Sequence, residues 1–388
     1  VKTSKTMSTT ELTPTIKQLP ADTLTPVGIY LRLRDLYPQS LLLECSDYSS
    51  RNDAFSFICL RPIAGIEAKN SRVTIRTING EEQSHPLNSI VPLIDEFVAS
   101  FAIKGVPDEK LTPGLYGFTS YDAINLFDNV DIKKPSSEDS PIPLLRYDLY
   151  QVVIAYNHFN NVLYICELLP NGHKEQTSDI VSLLANRNTT TFPFDTVGEE
   201  RSNITDTSYM GMVETGRKHC ARGDVFQIVL SRQFQQDFTG DEFNVYRALR
   251  SINPSPYLFY FDYLSFKLFG SSPEAQLKVS GGKATINPIA GTVHRTGNPA
   301  EENTLIKGLL KDPKENSEHC MLVDLARNDL GRVCEYGTVH TPLMMGVERY
   351  SHVMHIVSDV QGRLAEGKDA FDVLAACFPA GTVSGAPK

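Results

Sequence analysis

Apolar and polar positions along the chain fall into two kinds of run. In the first half they cluster over short stretches, so Leu41–Asp47 (LLLECSD), Phe55–Leu60 and Arg72–Ile78 read as strands, the last ending at the turn pair Asn79-Gly80. Ile16–Leu33 reads as a short strand followed by a helix, and Leu93–Phe101 carries helical spacing. Gly117–Asp122 opens another element, and Tyr147–Tyr156 with Val162–Leu168 reads as a hairpin across 157–161. Residues 1–14 are polar and predict disorder, while 132–143 (IKKPSSEDSPIP) is a surface loop by composition. The Thr-rich polar run Asn186–Asn203 is the best boundary in the chain.

Beyond that boundary the signals are denser. A helix over 206–222 places Tyr209, Met212, Val213, Gly216 and Cys220 on one face and stops at Gly223. The strand VFQIVLSRQF (225–234) follows, then a helix through Tyr246 and Leu249. The runs 257–261, 266–269, 275–279 and 284–288 predict a meander with Gly281-Gly282 as one tight turn. Strands lead each region and helices follow, which predicts an α+β fold of sheets covered by helices. The division is then a disordered 1–14, a first region over 15–200 and a second over 201–388.

The clearest helix start is Asp312-Pro313: an N-cap oxygen, then a ring lacking only an N–H that the first turn does not use. Met321, Leu322 and Leu325 form its apolar stripe, and Glu318 falls on that stripe with Glu315 one turn earlier. A carboxylate on a packed face must be paired, protonated or bound to a cation. A salt bridge to arginine would satisfy one of them. Two, a turn apart and pointing inward, suit a hard cation held by oxygen ligands.

Composition narrows the class. The 388 residues are 41% hydrophobic and 21% charged, ordinary for a globular chain with a core. The net charge of −9 and the lack of a basic run argue against a nucleic-acid surface, and no apolar run approaches a membrane span. The N-terminal stretch lacks a signal peptide's apolar centre. Seven scattered cysteines, without paired metal spacing, fit a reducing cytoplasm, where the sequons at Asn188 and Asn203 carry no meaning.

Candidate chemistry gathers in the second half. Three glycine-bearing turns, GSSPE (270–274), PIAGT (288–292) and PAGTVSGAPK (379–388), allow backbone N–H groups to approach an anion such as a carboxylate. They present Glu274, Thr292 and Thr382. The segment VERYSHVMHIVSDVQGRL (347–364) alternates as a strand, with Val353, His355, Val357 and Asp359 on one face and Met354 and Ile356 on the other. A lone histidine there is as a rule a hydrogen-bonded core residue, but neighbouring acids and turns make His355 a candidate catalyst. The residues alone point to a metal-assisted site for a carboxylated small molecule.

The motifs SPEAQLKV, INPIAGTVHRTGN, ENSEHCMLVDLARNDLGRVC, VERYSHVMHIVSDVQG and GTVSGAPK, in that order, resemble the chorismate-utilising enzymes. NPSPYLFY (253–260) and LLLECSD narrow the resemblance to component I of anthranilate synthase, from about residue 15 to the end. It implies a complex sandwich of two large antiparallel sheets enclosed by helices. It also implies Glu318 as a Mg²⁺ ligand with Glu315 beside it, Glu274 near the chorismate C4 hydroxyl, and His355 assisting loss of the C2 proton. Gly291, Thr292 and Thr382 then surround the substrate's ring and carboxylates, and Gln227 is a substrate-side position. The implied reaction adds ammonia to chorismate at C2 with loss of the C4 hydroxyl, then eliminates pyruvate to leave anthranilate. Ammonia would come from a glutamine amidotransferase partner, and tryptophan would inhibit from Leu43, Glu44 and Cys45 with Pro256, Tyr257 and Leu258.

Two positions bear on which relative this is. Aminodeoxychorismate synthases commonly carry Lys at Ala290, and isochorismate and salicylate synthases carry a water-activating Lys at Gln227. Two departures also stand out: Cys45 replaces a usual Ser, and the family continues past Lys388 with strands bearing a second metal Glu, a Tyr, an Arg and a Gly-rich turn. On that reading the sandwich is C-terminally incomplete and the 388-residue chain alone makes no anthranilate. The alternatives are an inactive relative that binds tryptophan or the amidotransferase, and another chorismate enzyme such as aminodeoxychorismate synthase.

Overall fold

The computed structural model describes residues 9–45, 54–105, 113–128, 130, 142–170, 173–186, 188–350 and 353–388. The chain divides into two compact units, 1–194 with 240–273, and 195–239 with 274–388. The sequence predicts one cut near residue 200. Instead the chain leaves the first unit, returns to it, and leaves again.

The first unit is built on a ten-stranded antiparallel sheet. Its main path runs Lys267–Ser272, Tyr257–Asp262, Leu41–Glu44, Phe55–Lys69, Leu145–Asn157, Val162–Leu168, Pro14–Pro20. The predicted hairpin across 157–161 is present, with Val162 opposite Asn157. Helix Pro26–Leu33 starts at Thr25, whose hydroxyl accepts from the Gly28 N–H, with Pro26 in the first turn. Its Ile29, Tyr30 and Leu33 join Phe243 and Tyr246 of the helix Phe243–Ile252 in the main core. This contact is why 240–273 belongs here: that helix contributes two fully buried aromatic rings.

Several expectations shift. Residues 1–8 and the strand end Ser46-Asp47 lie outside the described residues, as does most of the 132–143 loop. Thr10–Leu12, predicted disordered, pairs in parallel with Phe101–Ile103, because Leu12 is buried and supplies an apolar anchor in a polar stretch. The helix predicted at 93–101 spans Ile90–Ala99.

The second unit carries a five-stranded sheet around Val353–Arg363, which pairs with His340–Arg349, Lys283–Ile286 and Ile289–His294. Gly281 and Gly282 both take positive φ in the turn joining Lys278–Ser280 to Lys283–Ile286, as the pattern predicts. Two helices, Pro313–Gly331 and Ala370–Cys377, supply Val323, Ala326, Leu330, Val373 and Ala376 to a core with Ala284 and Val360. The single strand predicted at 225–234 is two pieces: Gln227–Ile228 pairs with Gly385–Ala386, and Phe234–Gly240 pairs with Phe194–Ser202. The apolar run is continuous, but its partners come from different parts of the chain. Helix Asp206–Arg222 forms as predicted and ends at Gly223 in the left-handed region, yet its apolar face is uncovered, with Met212 and Val213 each 37% exposed. Among the described residues, no helix is long and apolar enough to cross a membrane.

Candidate active site

Helix Pro313–Gly331 organises the site. Asp312 caps it, one carboxylate oxygen accepting from the N–H groups of Lys314 (2.8 Å) and Glu315 (3.2 Å). Its buried face is His319, Leu322, Val323, Ala326, Asp329 and Leu330. The stripe expected from Met321, Leu322 and Leu325 is therefore turned: Met321 and Leu325 sit half-buried on its shoulder, and so do Glu315 and Glu318. The two acids face the rim of the packed layer, where water reaches them.

Glu315 lies against Gly291. A β-carbon on Gly291, whose φ is +65°, would stand 3.3 Å from the Glu315 carboxylate, 3.1 Å from Leu309 and 3.3 Å from Ile356. Only glycine leaves that approach open while holding a left-handed backbone. Gly291 also forms the irregularity between Ala290 and Thr292 in the pairing of Ile289–His294 with Val353–Arg363. Its carbonyl lies 3.1 Å from His355 Nδ1, and the Thr292 hydroxyl lies 3.0 Å from the same nitrogen. A carbonyl can only accept, so Nδ1 carries the ring proton and Nε2 keeps a lone pair. The single strand predicted over 347–364 is the ends of two: 347–349 close His340–Arg349, while Val353–Arg363 carries His355 and pairs with the PIAGT turn, so that Thr292 stands directly opposite His355.

Glu274 and Thr382 meet. Burial pushes the Glu274 carboxyl above the usual range, and a hydrogen bond from Thr382 partly offsets this. Both line a cavity of about 40 Å³ with Gln276, Pro288, Leu322, Leu325, Asp329 and Gly381. Gly381 is packed so tightly under Leu325 that an added β-carbon would fall 2.1 Å from it. His355 does not line this cavity. Gln227 pairs with Ala386 of the last turn, and its side-chain carbonyl is buried without a partner among the described residues.

Sequence reasoning missed Asp329. It is buried, its carboxyl raised by desolvation, and its charge is held by Lys388 at 2.8 Å. Its position, seven residues after Leu322 and three after Ala326, is the same helical-face signal that singled out Glu318. Gln276, inside the cavity, had no such signal.

Glu318 makes no hydrogen bond or ion pair among the described residues, and Glu315 has only the exposed Lys314 at 3.2 Å. No group of three or more His, Cys, Asp or Glu among the described residues comes together as a metal site. Two half-buried carboxylates without a buried cation nevertheless fit Mg²⁺, which is typically held by one or two carboxylates while keeping waters or substrate oxygens.

The predicted tryptophan segments also adjoin. Leu41–Glu44 pairs with Tyr257–Asp262, placing Glu44 opposite Leu258 and Leu43 opposite Phe259. Alternation then sends Glu44 and Leu258 to one face and Leu43 to the other. Glu44 is occupied: its side chain is 2% exposed and accepts from Tyr246 Oη (2.6 Å) and Arg250 Nε (3.0 Å). Pro256 is buried, Cys45 half-buried, and Tyr257 38% exposed.

Comparison with known proteins places these features in a family. Residues 43–388 match the family described as chorismate binding enzyme. Anthranilate synthase component 1 of Aquifex aeolicus is 38% identical over 97% of this chain and 78% of that protein. The crystal structure of anthranilate synthase component I from Streptococcus pneumoniae superposes with a TM-score of 0.72 at 31% identity, over 96% of this chain and 82% of that one. The menaquinone-specific isochorismate synthase of Escherichia coli shares the fold, with a TM-score of 0.67 at 16% identity over 99% of this chain and 78% of that one. The α+β architecture, the order of the glycine turns and these matches agree, and the chain belongs to the chorismate binding enzyme family.

Proposed function

We propose that this chain converts chorismate and ammonia to anthranilate and pyruvate, as the name of its relatives implies; Glu274, Glu315, Glu318 and His355 all lie within its 388 residues, and the expectation that these alone make no anthranilate is put to the same test. The observation that carries this choice within the family is Gln227. Where a water-adding relative would carry a lysine base, this chain presents an uncharged amide whose buried carbonyl lacks a partner. Ammonia is already a nucleophile and needs no such base, and a bare carbonyl suits an N–H donor. Ala290, small and buried, likewise offers no amine.

The steps follow from the side chains. Ammonia attacks C2 of the ring, the double bonds shift, and the C4 hydroxyl departs as water. Glu274, kept protonated to higher pH by burial, donates the proton that this oxygen needs. The C2 proton is then lost as the enolpyruvyl oxygen leaves, giving pyruvate and the aromatic ring. His355 Nε2, bare because Nδ1 is tied to Gly291, is the base for that proton. Glu318 and Glu315 would hold Mg²⁺, which supplies charge neutralisation at the substrate's ring carboxylate. Thr292, Thr382 and the Gly291 turn orient the anionic substrate.

Ammonia is supplied by a glutamine amidotransferase subunit on this reading. Burial pushes the Cys166 thiol up to about 11 and the Cys377 thiol up to about 12, which argues against either as a nucleophile, and no cysteine sits in a Gly-rich nucleophile turn. All seven cysteines are free thiols, consistent with a reducing cytoplasm. Tryptophan feedback is assigned to Leu43, Glu44 and Cys45 with Pro256, Tyr257 and Leu258, supported by the pairing of Leu41–Glu44 with Tyr257–Asp262 that puts the two segments side by side.

The test is anthranilate fluorescence from purified protein with chorismate, ammonium salt and Mg²⁺, with isochorismate and aminodeoxychorismate followed by chromatography. Anthranilate and pyruvate in equal amounts are expected. Isochorismate as the product would overturn the reading of Gln227.

A further inference from the structure

One buried titratable group takes no part in this chemistry. His319 is fully buried on helix Pro313–Gly331, next to Glu318 and one turn after Glu315. Its Nε2 lies 2.6 Å from the Ser358 hydroxyl, which is itself fully buried on Val353–Arg363. The same hydroxyl accepts from the Met345 N–H at 2.8 Å and lies 3.7 Å from the Met344 sulfur. The Met345 amide is available because the strand pairing slips between Leu343 and Gly346, and Met345 itself takes a positive φ of 57°. His319 Nδ1 is buried with no partner among the described residues.

These facts fix the protons. If Ser358 donated to Nε2, Nδ1 would be a buried N–H with nothing to receive it, the costlier orphan. With Nε2–H donating to Ser358, the hydroxyl accepts twice and donates to the Met344 sulfur, and Nδ1 keeps only an unused lone pair. One hydroxyl therefore joins the helix, the central strand and the irregular strand beside it.

We propose that His319 and Ser358 form a positioning pair that fixes the rotation of helix Pro313–Gly331, and with it the aim of Glu318 and Glu315 at the cation. This rests on reading those two acids as Mg²⁺ ligands. The helix start is held elsewhere, by the Asp312 cap and by Asn316 Nδ2 donating to the Leu310 carbonyl at 3.0 Å. Neither sets the angle about the helix axis. A bond from His319 to a strand does, because it lies on the face that packs. Val323, Ala326 and Leu330 in the core and the Asp329–Lys388 pair hold the later turns, and at the turn bearing Glu315 and Glu318 the bond from His319 ties the helix to the strand.

The experiment compares Ser358→Ala, His319→Asn, His319→Gln and Glu318→Gln in the full chain. Mg²⁺ binding is measured by calorimetry without substrate, and the Mg²⁺ for half-maximal rate is measured at saturating chorismate. Outer partners of metal ligands typically carry about 10–100-fold of metal affinity. His319 and Ser358 act one step further out, so Ser358→Ala and His319→Asn are expected to weaken Mg²⁺ by up to about tenfold, the lower end of that range. His319→Gln reaches Ser358 with an amide N–H and is expected to restore most of the affinity. Ser358→Cys, which keeps nearly the same volume with a poor acceptor, replaces Ser358→Ala if the latter does not fold. Folded Ser358 and His319→Asn variants with unaltered Mg²⁺ affinity, beside a Glu318→Gln that loses it, would overturn the pair alone. An unaltered Glu318→Gln would overturn the metal reading and the pair together.

Discussion

At the scale of single residues, three carboxylate or imidazole groups carry distinct expectations. Glu318→Gln keeps the shape and removes the charge, so the protein should melt as before while Mg²⁺-dependent anthranilate formation falls by about a hundredfold. A wild-type rate would take Glu318 out of the metal site. His355→Ala should slow pyruvate loss more than amination, so the aminated ring accumulates and is seen by chromatography. Equal loss of both steps without that species would make His355 structural, a donor to Gly291 and no more. Glu274 has a raised pKa, so its protonated form persists above the ordinary carboxylate range and is lost as pH rises through the folded value. The rate, corrected for the fraction of free ammonia, should therefore fall over that rise. Glu274→Gln should remove the dependence along with most of the activity. The sequence made these residues legible as types. It misplaced Glu318 slightly, because the stripe was centred on Met321, Leu322 and Leu325, whereas the buried face is turned towards Val323 and Ala326 and includes the polar His319 and Asp329.

Elements were legible where local chemistry decides them. Asp312-Pro313 predicted a capped start, and the cap is made to two backbone N–H groups. Removing it with Asp312→Ala should cost about 1 kcal/mol in thermal unfolding, and an unchanged melting temperature would show the cap to be redundant. The run at 225–234 was misread for the opposite reason. Its strand propensity is genuine, but which strand each half joins depends on residues far away in the chain. Glu44 shows the same limit. Its sequence neighbours suggest a ligand acid, while its partners Tyr246 and Arg250 reach this strand from the helix Phe243–Ile252. Glu44→Ala should destabilise the first unit by about 1–3 kcal/mol, the lower part of that range if Arg250, 42% exposed, rehydrates readily.

For the whole molecule, the α+β class and the sheets covered by helices could be read from the order of strand and helix patterns, but the threading could not. The two crossings of the first unit lie side by side, with the Asp241 N–H donating to the Pro193 carbonyl at 2.9 Å. A chain in which 194 is joined to 240 by a short turn should therefore fold as the first unit and melt cooperatively. The fragment 1–200 should not, since it lacks the strand that pairs with Leu41–Glu44 and two core rings. Cooperative melting of 1–200 would refute the division. The pairing of Glu44 with Leu258 also sets a clock during synthesis. At about 5–20 residues per second, the ribosome delivers the second strand some 10–40 s after the first. Until then Leu41–Glu44 presents an unpaired edge on one side, an invitation to other nascent chains that the cell must cover or outrun.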